Sequence, residues 1–268
     1  MPTQHTTGLH PKQYATLLTP LLSATTTWNP PATKPHKITL TDALTMTLIY
    51  LRHNSTKHYL ADRFNIHQST VSRTINTIEK ALTTVLKSYV PPLESAFIHP
   101  GSVVVDGTLI PVWNWRSQGR KLYSGKHKRT GYNHQVLCTL EGRLLAITDP
   151  IEGARHDAFA FREHRLDQLL DLSSTLGDKG YVGLGILTPV KKPVGGRLSK
   201  EQKVVNRVLN AKRSVVERVI AQIKTWRVLH TGFRRPLGVY GRVFSSGAGV
   251  GVFWVGDPLC IILNLLRN

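Results

Sequence analysis

The chain has 268 residues, 41% of them hydrophobic, which is enough to bury a core and excludes a wholly disordered polypeptide. Its 35 Lys and Arg against 16 Asp and Glu give a net charge of +19 and a pI near 10.3, which points to a polyanionic partner. Nucleic acid is the usual one, and ribosomal-type or membrane-surface binding carries the same sign.

Cys138 and Cys260 are the only cysteines, so neither a disulfide framework nor a clustered zinc site is expected, and a reducing cytoplasm fits. The N-terminus lacks a basic stretch followed by a long apolar run and does not read as a secretory signal. The apolar stretch 247–266 is broken by Asp257-Pro258, so no membrane segment is expected.

Residues 1–37 mix Thr, Pro and His and read as an N-terminal extension ending in a Pro-rich connector at 28–37. From Thr39 the apolar residues Leu44, Leu48 and Leu51 recur at helical spacing. Two shorter helices follow: K-H-Y-L-A-D-R-F, then a turn at Asn65-Ile66, then a helix anchored by Val71, Ile75 and Ile78. This is helix-turn-helix spacing over 38–90. The second helix carries Gln68, Ser69, Thr70, Ser72 and Arg73 near its start, the short polar and basic side chains that reach phosphates and base edges. An ordinary helical hairpin with a solvated polar face is the competing reading.

Three prolines in 88–100 mark a linker, assigned to 91–100. The pattern then changes to a strand expected to end at Asp106-Gly107, a hairpin turning at Glu141-Gly142, a helix over 157–170, a short strand and turn at 174–181, and a long helix from Ser199 to Trp226. The fold class expected is α/β: a helix-turn-helix domain, then a mixed-sheet domain over 101–236 and a Gly-rich tail over 237–268.

In so basic a chain, a carboxylate at the end of a buried apolar strand is better explained by a bound cation than by solubility. Asp106 follows Val103-Val104-Val105, and Gly107 beside it leaves room for a close approach; a turn Asp satisfied by local backbone amides is the competing reading. Asp178 in L-G-D-K-G-Y repeats the arrangement. Glu217 lies on the long helix, where Arg213, Glu217 and Lys224 fall within roughly 40° of one another at 100° per residue; Arg213 and Lys224 are expected to contact DNA or position Glu217, and a plain ion pair with Arg213 is the competing reading of Glu217. Val205, Val208, Leu209, Val216, Ile220 and Ile223 supply that helix's expected core-facing stripe.

Two metal ions roughly 4 Å apart require acidic oxygens on different rigid elements, and two strands plus a helix carrying Asp106, Asp178 and Glu217 meet that requirement. Magnesium or manganese suits such all-oxygen ligands. Asp157 is the rival second acid, although its place before an apolar helical run suits a helix cap. His156 reads as structural. Between strand and hairpin, R-K-L-Y-S-G-K-H-K-R-T-G-Y forms a basic loop in which Lys126, Lys128 and Arg129 are placed to hold phosphates and Tyr123 or Tyr132 to stack on a base. A solvated basic loop is the plainer alternative.

These residues carry a family resemblance. V-V-D-G-T at 104–108, G-A-R-H-D at 153–157, L-G-D-K-G-Y at 176–181, the spaced set Asn206, Arg213, Glu217, Lys224, and G-F-R-R-P-L at 232–237 resemble the IS5-type insertion-sequence transposases and the related Harbinger-type nucleases of the DDE superfamily. The Arg-Glu-Lys spacing is also similar to that of the IS4 relatives, with Asn210 where those have tyrosine.

The resemblance implies a ribonuclease-H-like fold, with Asp106, Asp178 and Glu217 as catalytic acids holding two Mg2+ or Mn2+ ions. It also implies binding of terminal inverted repeats and target DNA, strand cleavage and strand transfer. A homodimer or larger assembly on DNA, in the bacterial cytoplasm at the nucleoid, is expected. The alternative is a non-catalytic, decayed or domesticated DNA-binding protein, which the unusual tail invites.

Overall fold

The computed structural model describes residues 3–25, 28–29, 35–87, 93, 99–113 and 118–255. Most of the linker expected at 91–100, part of the 28–37 connector, Asp257-Pro258 and Cys260 lie outside the described residues. The chain divides into two compact units, one built from Met1–Val90 with Ile223–Asn268 and the other from Pro91–Gln222.

The first unit is helical, and what reads in the sequence as an extension contains α1 (Gln4–Thr7) and α2 (Pro11–Ala24). Pro11 stands at the first position of α2, and His10 and Gln13 form a reciprocal cap there, while Leu17 and Leu21 are buried. Helix α3 (Leu40–His53) is started by Thr39, whose side chain accepts from the Asp42 amide, and ends at Asn54 with φ 50°. The helix-turn-helix pair follows as expected: α4 (Lys57–Arg63), a turn with Asn65 at φ 49°, and α5 (Gln68–Leu86). Asn tolerates this left-handed conformation better than most residues because its short side chain bonds locally. Val71, Ile75 and Ile78 are fully buried, as the periodicity requires.

The 237–268 stretch is not a loose tail over its described part. Tyr240–Val255 form helix α10, which packs on α5. Its glycines allow the approach: a Cβ at Gly251 would sit 3.3 Å from the Trp226 ring, and one at Gly247 would sit 3.4 Å from Val228 and Leu229. Ser246 donates to the Glu79 carbonyl of α5 at 3.1 Å. Chain distant in sequence therefore completes the helix-turn-helix core, a relation that no local periodicity encodes.

The second unit is built on a six-stranded mixed sheet. Its strands are β1 (Val103–Pro111), β2 (Tyr123–Ser124), β3 (Arg129–Thr139), β4 (Leu144–Ile147), β5 (Ile151–Glu152) and β6 (Thr175–Leu176). β3 runs antiparallel to β1, β2, β4 and β5, and β6 lies parallel to β1 on its other side. This is the mixed α/β sheet that the sequence pattern predicts. One expectation fails: β1 does not end at Asp106-Gly107 but continues to Pro111, because Gly107 to Pro111 pair in register with Gln135 to Gly131. Ladder hydrogen bonds to β3 outweigh the turn propensity of Asp-Gly.

Short helix α6 (Gly119–Leu122) precedes β2, so the basic loop at 120–132 is in fact a helix and a β2–β3 hairpin. The predicted 157–170 helix is two pieces, α7 (Asp157–Glu163) and α8 (Leu166–Leu169), separated where Arg165 takes φ 52°. Val103 and Val105 of β1, Leu137 of β3, Leu145 of β4, Phe161 of α7 and Tyr181 share one core cluster.

The long helix is α9 (Lys200–Lys224). Its apolar stripe is buried only in the second half, through Val215, Val216, Val219 and Ile223, whereas Val205 and Val208 are each 49% exposed and Leu209 is half-buried, contrary to the expected continuous stripe. Among the described residues no helix is long and apolar enough to cross a membrane.

Candidate functional site

β1 and β6 are paired so that Val103 faces Thr175 and Val104 faces Leu176. Asp106, inside β1, and Asp178, two residues past the end of β6, each lie two residues beyond the Val104–Leu176 couple. The Asp178 carboxylate is near enough for its charge to raise the Asp106 carboxyl. Asp178 starts a short 3-10 turn over Lys179–Tyr181, and its Oδ1 accepts from the Gly180 amide at 2.6 Å. Lys179 is exposed beside it, whereas Tyr181 is fully buried in the core.

Side chains alternate along a strand, so Asp106 shares a face with Val104, opposite the face of Val103, Val105 and Gly107. Arg213 of α9 meets it there: Nη1 stands 3.5 Å from Asp106 Oδ2 while Nη2 stands 3.3 Å from Glu217 Oε1. One guanidinium thus bridges two of the three expected acids. Asp106 and Arg213 side chains are only 14% and 16% exposed, Glu217 60%. Burial raises the Asp106 carboxyl to about 6, with Arg213 pulling down and Asp178 and Asp157 pushing up.

Asp157 occupies the other face. Its side chain does not cap α7; His156 does, accepting from the Phe159 amide at 3.1 Å, so the cap sits one residue earlier than predicted and His156 is structural. Asp157 is instead the first helical residue and turns its carboxylate back onto the sheet. Oδ1 accepts from Asn133 Nδ2 at 2.9 Å and Oδ2 accepts from Lys126 Nζ at 2.9 Å. Asn133 Oδ1 in turn accepts from Gln135, whose Oε1 accepts from the buried Tyr181 hydroxyl. This buried chain of side chains was invisible in the sequence, because its members lie on three elements, and only the period-2 spacing of Asn133 and Gln135 on β3 hints at it.

Lys126 thus bonds Asp157 while its side chain stays 57% exposed. Its desolvation lowers the ammonium pKa, but the bond to Asp157 and the field of Asp157, Asp178 and Asp106 raise it more, and the net shift is upward. Lys128 and Arg129 are exposed, at the β2–β3 turn and on the first residue of β3, and Tyr123 is 47% exposed on β2. Lys224 is the last residue of α9, seven residues beyond Glu217. Asn206 binds both backbone groups of Val190, through Oδ1 at 2.7 Å and Nδ2 at 3.0 Å, which ties the preceding loop to α9. Among the described residues no group of three or more His, Cys, Asp or Glu side chains is placed to hold a metal ion; Arg213 links Asp106 and Glu217 across that gap.

In the helical unit, Gln68, Ser69, Ser72 and Arg73 line one groove of about 570 Å³ with Lys57 and His67. Lys57 Nζ donates to Ser72 Oγ at 2.7 Å, and His67 caps α5 by accepting from the Ser69 amide at 3.2 Å. Thr70 is half-buried on α5 and outside this lining. The groove presents hydroxyl, amide and cationic donors at the start of a 19-residue helix, a surface chemically suited to phosphate oxygens and base edges.

The G-F-R-R-P-L stretch at 232–237 has a different role from the acids. Arg235 Nη1 lies 2.5 and 2.6 Å from the two oxygens of Glu79, which is completely buried in α5, and Arg234 bonds the Asn54 carbonyl. Asn54 Nδ2 returns a bond to the Gly232 carbonyl at 3.0 Å. These residues latch the C-terminal segment onto the helix-turn-helix.

Residues 105–243 match the model of the DDE superfamily endonucleases, and residues 36–88 match the helix-turn-helix of DDE superfamily endonucleases. The chain is 29% identical over 228 residues, 82% of each chain, to the "Probable transposase for insertion sequence element IS702" of Microchaete diplosiphon. It is 28% identical over 224 residues, 83% of each chain, to the "Putative transposase for insertion sequence element IS112" of Streptomyces albus G. No solved structure matches the chain.

Proposed function

We propose that this chain, which belongs to the DDE superfamily endonucleases, is the transposase of an insertion-sequence element that binds the element's ends, cleaves DNA strands and transfers them to a target. The observation that carries this reading is Asp106 on β1 with Asp178 just past the end of the parallel strand β6, and Arg213 of α9 bridging Asp106 to Glu217.

Asp106, Asp178 and Glu217 are the proposed catalytic acids, and the donor set fits a hard divalent cation. All donors are carboxylate oxygens, and Asp106 is raised by burial and by two neighbouring aspartates, so it would gain from a positive charge. Two Mg2+ or Mn2+ ions held there would polarise the scissile phosphate, lower the pKa of an attacking water and stabilise the departing 3′ oxygen. Asp157 is not proposed as a ligand, because both its oxygens already accept from Asn133 and Lys126. It holds Lys126 beside the acids.

For the chain's own part, the half-buried Asp106 side chain is fixed by its place within β1, and Arg213 orients Glu217 while balancing Asp106. Exposed Lys128 and Arg129 are proposed to guide the strand backbone, and Lys224 to extend the cationic line of α9. Gln68, Ser69, Ser72 and Arg73 are proposed to read duplex ends, with Thr70 supporting that turn of helix from within. A homodimer or larger assembly on DNA, at the bacterial nucleoid, belongs to the same proposal. The non-catalytic alternative draws on an unusual tail; within its described part Tyr240–Val255 packs as α10, and no observation favours that alternative.

The test uses the full chain with the element's own terminal inverted repeats and Mg2+ or Mn2+. Nicked and joined ends are expected from the parent and not from Asp106→Ala. If parent and variant behave alike, the enzymatic reading fails.

A further inference from the structure

The helical unit carries a second cationic pocket, distinct from the groove at the start of α5. It has a volume of about 450 Å³ and is lined by Gln4, His5, Arg52, His53, Thr225 and Arg227. Three chain segments build it: α1, the end of α3, and the residues that follow α9. At its back, the Arg52 guanidinium lies 5.6 Å from the centre of the Trp226 ring, and its Nη1 is buried with no hydrogen-bond partner.

Gly8 makes this stacking possible. Its φ is +79°, and a Cβ there would come within 2.9 Å of Arg52 and 3.0 Å of Trp226. The guanidinium of Arg227 is close enough for its charge to lower the Arg52 pKa, after the larger effect of burial. Among the described residues neither arginine has an acidic partner, and no acid lines the pocket.

Two like charges held together around an unsatisfied buried donor are a conformation that the fold maintains at a cost. An anion in the pocket relieves that repulsion. The lining offers guanidinium, imidazole, hydroxyl and amide groups from several directions. That matches the many acceptor oxygens of a tetrahedral phosphate better than the two of a carboxylate.

The pocket also continues. A neighbouring groove of about 370 Å³ shares His5 and His53 with it and adds Ser55, Tyr59 and Arg63. It too lacks an acid, so the combined track is longer than one free phosphate needs. Tyr59 of this track and Lys57 of the α5 groove are two residues apart on α4, about 200° around the helix, so the two grooves flank α4 on different sides.

We infer that the Arg52–Arg227 pocket is a phosphate-binding site of the helical unit, for a phosphodiester of the DNA backbone or a free phosphate anion. In its DNA form the inference rests on the DNA-binding reading above; in its free-anion form it does not.

The experiment uses full-length protein, a duplex of arbitrary sequence, and Arg227→Gln, Arg52→Gln and the double variant. Arg227 is exposed, so its substitution leaves packing untouched, and circular dichroism checks that each variant retains the parent's helical signal. Duplex affinity is measured by anisotropy across a salt series, with Arg73→Gln as the variant of the α5 groove. For a backbone phosphate, each pocket substitution lowers the slope of log affinity against log salt by about 1, equally for any sequence.

In parallel, inorganic pyrophosphate is titrated while thermal unfolding is followed. For a free anion, pyrophosphate raises the parent's Tm and not the double variant's, with salt slopes unchanged. Failure of parent and Arg73→Gln to differ on duplex DNA speaks against the DNA reading alone, because the pyrophosphate comparison still decides the pocket. Unchanged salt slopes for both single variants, together with equal pyrophosphate shifts in parent and double variant, overturn the proposal.

Discussion

Gly107 and Asp157 are in direct apposition: a Cβ built on Gly107 would overlap Asp157 Oδ1. The glycine after Asp106 is thus filled neither by substrate nor by backbone but by a carboxylate from α7, fixed by Asn133 and Lys126. Asp157 cannot yield without breaking those two bonds. Gly107→Ala is therefore expected to destabilise the sheet unit by about 1–3 kcal/mol, measured by urea denaturation. Because it also shifts the strand that carries Asp106, it should lower strand cleavage by about 100-fold. Parent-like values in both measurements would contradict the packing described.

Tyr181, Gln135, Asn133 and Asp157 form one buried chain of hydrogen bonds. Removing the Tyr181 hydroxyl leaves the Gln135 carbonyl without its donor in a region closed to water. Tyr181→Phe should cost about 1–3 kcal/mol. Gln135→Ala removes the other partner, so the double variant should be less unstable than the sum of the two single changes. Strict additivity in a double-mutant cycle would show that the bond contributes nothing.

The Asp106 carboxyl titrates near 6 because burial and the neighbouring Asp178 and Asp157 outweigh Arg213. Its anionic form prevails above that pH. Binding of Mn2+ to the proposed site should then weaken as pH falls through about 6, with affinity about tenfold lower at pH 5 than at pH 7.5. Arg213→Ala removes the counter-charge, raises the carboxyl further and moves the midpoint upward. Calorimetric Mn2+ titrations at the two pH values test this, and a pH-independent affinity in the parent would rule out Asp106 as the controlling ligand.

Elements with a strong period were readable from sequence: α3, α5, the β3–β4 hairpin and α9 lie where the apolar spacing puts them. The register that sets Asp106 beside Asp178 was not, since it is fixed by β1–β6 pairing across some seventy residues. The exposure of Val205 and Val208 shows the limit of an amphipathic pattern, which identifies a helix face but not whether anything packs on it. The role of Asp157 was missed for a related reason. Local cap statistics favour Asp at a helix start, but His156 took the cap and freed the carboxylate to reach Asn133 and Lys126. The R-R of 234–235 reads as part of a family motif, and the pairing of Arg235 with buried Glu79 emerges only once the C-terminal segment is packed on α5.

Glu79 is fully buried and paired with Arg235, with Arg242 Nε at 4.0 Å as a second cation. Burial raises its carboxyl while Arg235 opposes the rise. Removing one partner leaves the other charge desolvated, so Arg235→Ala should destabilise the helical unit by about 3–5 kcal/mol. Arg235→Lys should recover only part, since a single ammonium cannot reproduce the contact to both oxygens. Hydrogen exchange resolved by unit is the suitable measurement: protection should fall in α5 and α10 and hold in β1 and β3. A uniform loss across both units would count against a local latch.

His134 supplies an acid-sensitive element in the sheet. It pairs with Thr108 in the β1–β3 register, is fully buried, and bonds the Thr148 carbonyl at 2.8 Å, so Nδ1 is the donor there. Burial lowers its pKa to about 4, with the Thr148 bond opposing and His164 adding to the fall. An unfolded chain binds this proton near the ordinary value of about 6.5. Between the two pH values the unfolded state therefore holds more protons, and stability falls as pH drops through that window, by about 3 kcal/mol in all. Asp106 acts in the opposite sense, since a raised carboxyl binds its proton more readily in the folded state and favours folding as pH falls toward 4. The two contributions separate by comparison of the parent with His134→Asn. That variant should be less stable at pH 7.5, having lost a packed ring, yet lose less on going to pH 5. Urea midpoints at pH 7.5, 6 and 5 give the slopes, and equal acid sensitivity in parent and variant would remove His134 as the cause.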